Sequence, residues 1–408
     1  MRGKAAEIDL GRRIAWYRQR RGLPQEVLAD MVGRTADWLS KVENGRIQLD
    51  RYSVMGNIAR ALDIPLGDLL GEPSLTRTTA ETGQSSVPAL RSVLMDYRQL
   101  TRLAAQQPLD DAARPLDALE TDVTNVWNAY QDSRFSYVAH RLVVLIPDLK
   151  VAAHEYEGDH QQRANALLAL TYQVAALTLT KVGETDLAWN ASDRGIEAAH
   201  RSGDPVVIGS LLRSVTHSLQ SIEAHVEAVQ MTNDSAAFFE PYLSKPTPMM
   251  LSVYGHLLLA GSMAAARAGD RDTVRAFMGE AEEMARRMGT DANHLWTAFG
   301  PTNVAHHRVS TAMWLGDVQI ALDLAPRIDT TAMPTERRVR HSLEVARALS
   351  TSNQRDDALA TLLEAEQQAP EQVRHHFLSR QLVEAWIRTQ RGKPSFRLAD
   401  LAQRLGVA

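Results

Sequence analysis

Apolar residues recur at three- and four-residue steps along almost the whole chain, and no stretch alternates apolar with polar in the manner of a half-buried strand. The pattern predicts an all-α protein. Its best strand candidate, Leu142-Val143-Val144-Leu145-Ile146, belongs to a longer series, Phe135, Val138, Leu142, Leu145 and Leu149, that fits one helix face, with Pro147 expected to kink or stop it. One stretch interrupts the pattern. Residues 73–88, PSLTRTTAETGQSSVP, are rich in Ser and Thr and hold too little large apolar surface to offset the entropy of ordering. This predicts a domain at 1–72, a linker at 73–88 and a body at 89–408.

Punctuation divides the first domain into five short helices. The first runs from Leu10 to about Arg21, with Asp9 as N-cap and Gly22 as stop. The second follows Pro24, whose missing N–H would be unpaired at a helix start in any case. Gly33 supplies a tight turn, Thr35 caps the third helix, and that helix ends near Asn44-Gly45. Asp50 and Pro65 open the last two.

The run GLPQEVLADMVGRTADWLSKVENGR carries Gly22-Leu23, Gln25-Glu26, Leu28-Ala29, Gly33, Thr35, Leu39-Ser40, Val42-Glu43 and Asn44-Gly45 at fixed spacing. It resembles the helix-turn-helix of phage-repressor type, the XRE family, over residues 9–71. In such a motif the second helix lies in the major groove and the preceding helix crosses the backbone. The resemblance implies that Thr35, Ala36, Asp37, Ser40 and Lys41 face base edges of a double-stranded DNA operator, with Trp38, Leu39 and Val42 toward the core or its margin. It also implies that Gln25, Asn44 and Arg46 hold phosphates, which set register and affinity rather than sequence. Two residues depart from the family: Pro24 stands where Ser or Thr is usual, and Asp37 brings a negative charge near the groove, tolerable where it accepts from a cytosine amino group. The alternative is a five-helix unit that packs on the body or binds a protein.

The body carries an internal repeat. A turn residue and a polar neighbour, with a small residue five positions on, recur at Gly183-Glu184 with Ala188, Gly269-Asp270 with Val274, Gly316-Asp317 with Ala321, and Asn353-Gln354 with Ala358. A weaker copy falls at Ser221 with Val226. Helix pairs at such spacing stack into a solenoid. LGDVQIALDLA, residues 315–325, resembles the second half of a tetratricopeptide repeat. TKVGETDLAWNASDRGIEAA and FGPTNVAHHR are similar to actinobacterial regulators that join an XRE head to a repeat body. The resemblance implies a TPR-like α-solenoid, irregular because its repeats are degenerate. Counting back from each turn by that family's concave-face spacing places Asn303, His306, Ser310 and Met313 on the inner wall, then Arg340, Leu343 and Arg347, then His256 and Met263, and Gln173 from an early repeat. Such a wall suits a peptide backbone or a small polar ligand; alternatively its side chains fill the groove and pair with their neighbours.

Composition then narrows the chemistry. The absence of cysteine excludes disulfides, thiolate zinc sites and cysteine nucleophiles. The net charge of −4 divides unevenly: residues 1–72 hold 12 Lys/Arg against 10 Asp/Glu, and the rest of the chain 33 against 39. A mildly basic head on an acidic body suits a DNA reader, because phosphates need cations only where they are touched. With no run of 18 apolar residues and no apolar stretch in MRGKAAEIDL, the expectation is a cytoplasmic, nucleoid-associated protein without a membrane partner. Gly392-Lys393 lacks the rest of a phosphate loop, and the adjacent pairs His306-His307 and His375-His376 come without a zinc-protease pattern, so surface or groove histidines are expected rather than a metal. Trp127, Trp189, Trp296, Trp314 and Trp386 are expected in the repeat core.

No catalytic constellation and no cofactor emerge. The expected function is a homodimeric transcriptional regulator whose body senses a small-molecule or peptide effector. The alternative is an interaction adaptor, in which the solenoid binds a protein and the head tethers the complex to DNA.

Overall fold

The computed structural model describes residues 10–15, 17–18, 23–47, 49, 52–62, 86–95, 112–390 and 393–407. Among these the protein is all-α, with one isolated β-bridge between Ala292 and Phe299. It divides into two compact units, Met1–Gly83 and Gln84–Ala408.

The first unit holds α1 (helical at 10–15 and 17–18), α2 (Gln25–Met31), α3 (Ala36–Glu43) and α4 (Tyr52–Ala61). Pro24 enters α2 at φ −61° and ψ 154°, without any side-chain cap. Gly33 takes φ +66°, a left-handed conformation that costs glycine little, and the Arg34 amide then donates back to the Ala29 carbonyl at 2.9 Å. Ile14, Leu28, Leu39, Val42, Ile58 and Leu62 close a small core between the helices. A Cβ at Gly11 would stand 2.3 Å from the Val42 carbonyl oxygen, so only glycine lets α1 approach the end of α3. Asp9, Gly22, Asp50 and the helix expected from Pro65 lie outside the described residues. So does the expected linker as far as 85; from Ser86 the chain is already helical in α5 (Ser86–Leu94), which trims the linker's end.

The second unit continues with α6 (Leu116–Gln131), α7 (Phe135–Glu155), α8 (Gly158–Lys181), α9 (Thr185–Ser202), α10 (Pro205–Ser221), α11 (His225–Phe239), α12 (Pro248–Ala268) and α13 (Arg271–Met288). It ends with α14 (Pro301–Leu315), α15 (Val318–Leu324), α16 (Thr335–Thr351), α17 (Arg355–Gln368), α18 (Pro370–His375), α19 (Phe377–Thr389) and α20 (Phe396–Leu405). The apolar series at Phe135–Leu149 lies on α7, and Pro147 neither stops nor ends that helix, because Leu145, Ile146 and Leu149 anchor both sides of it in the core.

One hinge recurs between paired helices. A residue at positive φ is followed by an amide that donates to the carbonyl five positions back, which satisfies an orphan carbonyl at the helix end. Gly183, Gly269, Gly316 and Asn353 supply it, with bonds of 2.9 Å from Glu184, Asp270, Asp317 and Gln354. The copy expected at Ser221 with Val226 is corrected to Glu223 with Ala228: Glu223 has φ +62°, Ala224 donates to Leu219, and Ala228 is buried where Val226 is 73% exposed. Ser133, at φ +61° with Val138 buried five positions on, is an earlier copy that the sequence did not betray.

Within this unit α8, α10, α12, α14 and α16 pack in succession as an inner layer, and α6 touches both α8 and α16, so the layer closes on itself. Ser133 donates to Gln372 at 2.6 Å, Lys181 pairs with Glu336 at 2.5 Å, and the Trp127 and Trp296 rings stack 4.9 Å apart across the closure. By length and composition α12 could cross a bilayer, yet 94% of its most apolar window is buried inside the unit; it is the core helix. Trp127 and Trp386 are core residues as expected, whereas Trp189 is exposed.

Candidate functional site

In the first unit, α3 is built to present one face. Thr35 caps it, accepting from the Trp38 amide at 3.2 Å, and Leu39 and Val42 pin its other face to the core. That leaves Ala36 and Ser40 half-buried and Thr35, Asp37, Asn44 and Arg46 exposed along and just beyond the helix. Lys41 donates to Asp37 one turn away at 2.6 Å, with both side chains open to solvent. An exposed pair of this kind contributes only about 0.3–0.5 kcal/mol, so either partner is free to exchange it for another contact. The Arg34 guanidinium lies over the Trp38 ring at 5.4 Å, adding a cation beside the same face. Asn44 donates to the Ser40 carbonyl at 2.8 Å, which ends α3 cleanly and leaves Arg46 projecting beyond it.

Behind this face sits a buried pair. Glu43 accepts from Arg18 Nε and Nη2 at 2.6 and 2.9 Å and from Gln25 Nε2 at 2.7 Å. The Gln25 amide nitrogen is thus committed to the carboxylate that ties α1, α2 and α3 together, a role its expected phosphate contact did not anticipate.

This geometry is a helix-turn-helix. Residues 9–71 match a family described as Helix-turn-helix domain. A comparison with curated proteins gives no match. Among solved structures, aspartyl phosphate phosphatase F from Bacillus subtilis is similar at 12% identity over 91% of this chain and 95% of its own, with a TM-score of 0.46. Bacillus thuringiensis PlcR, in complex with the peptide PapR7 and DNA, is similar at 12% identity over 69% of this chain and 95% of its own, with a TM-score of 0.28. At those scores neither likeness bears on function.

The expected ligand residues of the body fall into three places. Gln173 is fully buried and donates to the Ser210 carbonyl and to the Ser210 and Ser214 hydroxyls, so it joins α8 to α10. Asn303 and Ser310 are buried on α14; Asn303 Nδ2 reaches the Thr297 carbonyl at 3.4 Å, and its Oδ1 has no partner among the described residues. His256 and His306, buried, and Arg340 and Arg347, half-buried, belong to a polar cluster lined by the inner layer.

That cluster is mostly made of residues the sequence reading passed over. His217, His256, His307, His306 and His341 form a chain of ring contacts with centroids 5.2–6.4 Å apart, and His306 and His341 share a hydrogen bond of 3.2 Å between their Nδ1 atoms. The pairs His306-His307 and His375-His376 were expected at a surface or groove. His306 and His307 are instead buried on α14, because the closed layer covers them, and His375 and His376 are half-buried where α18 meets α19. Burial, reinforced by neighbouring cations, pulls His217, His256 and His306 well below the usual imidazole range and His307 to about 3, so these rings are neutral near pH 7. Among the described residues no three His, Asp or Glu side chains are placed to hold a metal ion.

Cations outnumber carboxylates here. Glu336 meets Lys181, Arg337 at 3.5 Å and Arg340 at 3.9 Å. Burial opposes its ionisation, but those three charges outweigh burial and hold it well below the ordinary carboxylate range. Burial lowers Lys181 to about 8, against the pull of Glu336. Further along, the Arg267 and Arg347 guanidinium groups lie over the Trp314 ring at 4.6 and 4.5 Å, and burial pushes the carboxyl of Glu344 up beside Arg347. Arg213, 2% exposed on α10, is drawn down to about 10 by burial and by Arg337, which still leaves it charged at neutral pH. Among the described residues, Lys181, Arg213, Arg267, Arg337, Arg340 and Arg347 thus outnumber the carboxylates that act on them, Glu336, Glu344 and, at Arg267, Glu223. The signal was present in SLLRSVTHSLQ, where an arginine and a histidine one turn apart interrupt an apolar helix face.

Proposed function

We propose that the protein is a sequence-specific DNA-binding transcriptional regulator of XRE type, in which Thr35, Ala36, Asp37, Ser40 and Lys41 read base edges. Asn44 and Arg46 hold phosphates beyond the helix end, and Gln25 supports the fold of the reader more than it touches DNA. The observation that carries this reading is the capped, core-anchored α3, with a polar and cationic exposed face, inside the matched helix-turn-helix.

The helical body senses a small molecule or peptide, forms the homodimer contact and couples effector binding to the spacing of two heads on half-sites. An effector shifts that spacing only by its differential affinity for the two arrangements. The work is done in the cytoplasm, on the nucleoid, without catalysis.

The test is operator selection from random duplex by the full chain, followed by binding of the selected site. Lys41→Ala should lower affinity and relax sequence preference; Arg46→Ala should lower it with less change in preference and reduce the salt slope by about 1. Selection that yields no enriched sequence refutes the reading.

A further inference from the structure

Burying a charge without a partner costs several kcal/mol, so buried cations in folded proteins are paired or bind something. The interior of the second unit breaks that rule at Arg213. Its Nε and Nη2 are buried and have no hydrogen-bond partner among the described residues. Across from it on α12, His256 accepts from Arg337 at its Nε2, with 3.2 Å between the nitrogens. With Nε2 accepting, the neutral ring carries its proton on Nδ1, and that donor is also buried and unpartnered. After burial, Arg213 and Arg337 are the charges that weigh most on the His256 ring. Donors and positive charge thus converge from α10, α12 and α16, and the carboxylate that acts on Arg213 among the described residues, Glu336, is already engaged by Lys181, Arg337 and Arg340.

We propose that this interior is a built site for an oxyanion, the carboxylate or phosphate of a small molecule, held by Arg213 in a forked contact with His256 and Arg337 beside it. A guanidinium fork with a neighbouring N–H donor matches the two in-plane oxygens of either group. The proposal deepens the reading of the body as a sensor and rests on it. It also selects between effector classes. An extended peptide needs an open groove, whereas the inner layer closes where α6 meets α16, and such an enclosure suits a compact ligand. An anion that draws Arg213 and Arg337 together, from helices separated by α12 and α14, would tighten that closure and so carry a signal through the layer.

The test uses the full chain with inorganic phosphate and succinate as probes, each against sodium chloride at matched ionic strength. The expected result is a saturable rise in melting temperature with one or both probes, and at least about tenfold weaker apparent affinity in Arg213→Met. Response to phosphate alone identifies a phosphate monoester as the natural group, and response to succinate alone a carboxylate. Because methionine replaces an unpartnered buried charge with an apolar chain, Arg213→Met should also melt above the unmodified protein in chloride alone, an effect opposite to that of a merely structural arginine. Arg337→Met and Arg213→Lys provide the same comparison if that variant does not fold. A response to both probes no larger than to chloride, or one that survives in every variant, overturns the site. Operator selection depends on α3 in the other unit, so its failure would leave this result standing, and the reverse holds as well.

Discussion

Each unit buries an arginine, and the two are treated differently. Arg18 in the head meets Glu43 through two bonds, its third nitrogen donates to the Leu23 carbonyl at 2.9 Å, and Gln25 occupies the rest of the carboxylate. Charges cancel and each of the three guanidinium nitrogens donates, so the cluster acts as a scaffold that fixes α3. Among the described residues, Arg213 in the body has neither a carboxylate of its own nor a partner for two of its nitrogens. The same side chain, 9% exposed in the head and 2% in the body, is a brace in one unit and an open demand in the other, and what separates the two most is whether their neighbours satisfy them.

Acidification should separate the two units most strongly. All 13 histidines lie beyond residue 72, and five of those in the body, His217, His256, His306, His307 and His376, are held below the imidazole value of 6.5 by burial and by the facing cations Lys181, Arg213, Arg337 and Arg340. The unfolded chain therefore binds more protons than the folded one below pH 6.5, so stability is present above that value and is lost as pH falls, by about 1.4 kcal/mol per pH unit for each histidine. Glu336, also lowered, adds a loss below about pH 4.5, its unfolded value. Hydrogen exchange at pH 7.5 and 5.5 should show the body losing protection while the head keeps it. Equal protection of the body at both values would mean that the interior histidines are not buried and neutral.

Next in size, Glu336→Gln should destabilise the body by about 3–5 kcal/mol, since it removes the carboxylate shared by three buried or half-buried cations. Calorimetry of the variant checks this. A loss under about 1 kcal/mol would show that solvent reaches the cluster and would weaken the contrast between Arg18 and Arg213. The smallest effect belongs to the head: Thr35→Ala removes the cap of α3 and should cost about 1 kcal/mol while leaving the body's transition unmoved.

The regular elements were legible from local rules. Pro24, Gly33 and Thr35 place the start of α2, the turn and the start of α3 within the described head, and Gly183, Gly269, Gly316 and Asn353 mark hinges that recur with the same hydrogen bond. Where the hinge residue was not glycine or asparagine, as at Ser133 and Glu223, the mark was lost or misplaced. Those residues carry no strong left-handed preference of their own, and the packing of Val138 and Ala228 imposes it. Pro147 does not stop its helix for a related reason: tertiary burial on both sides of it outweighs one missing hydrogen bond.

The order of apolar and polar residues thus determined that this chain is helical, where its reader helix begins, and the rhythm of its repeats, because capping and periodicity act within a few residues. What surrounds Arg213 was decided only when α6 met α16 and enclosed the layer. Electrostatic surroundings depend on distances in space, and Lys181, Arg213, His256 and Glu336 are brought together across more than a hundred positions of chain that no local pattern spans.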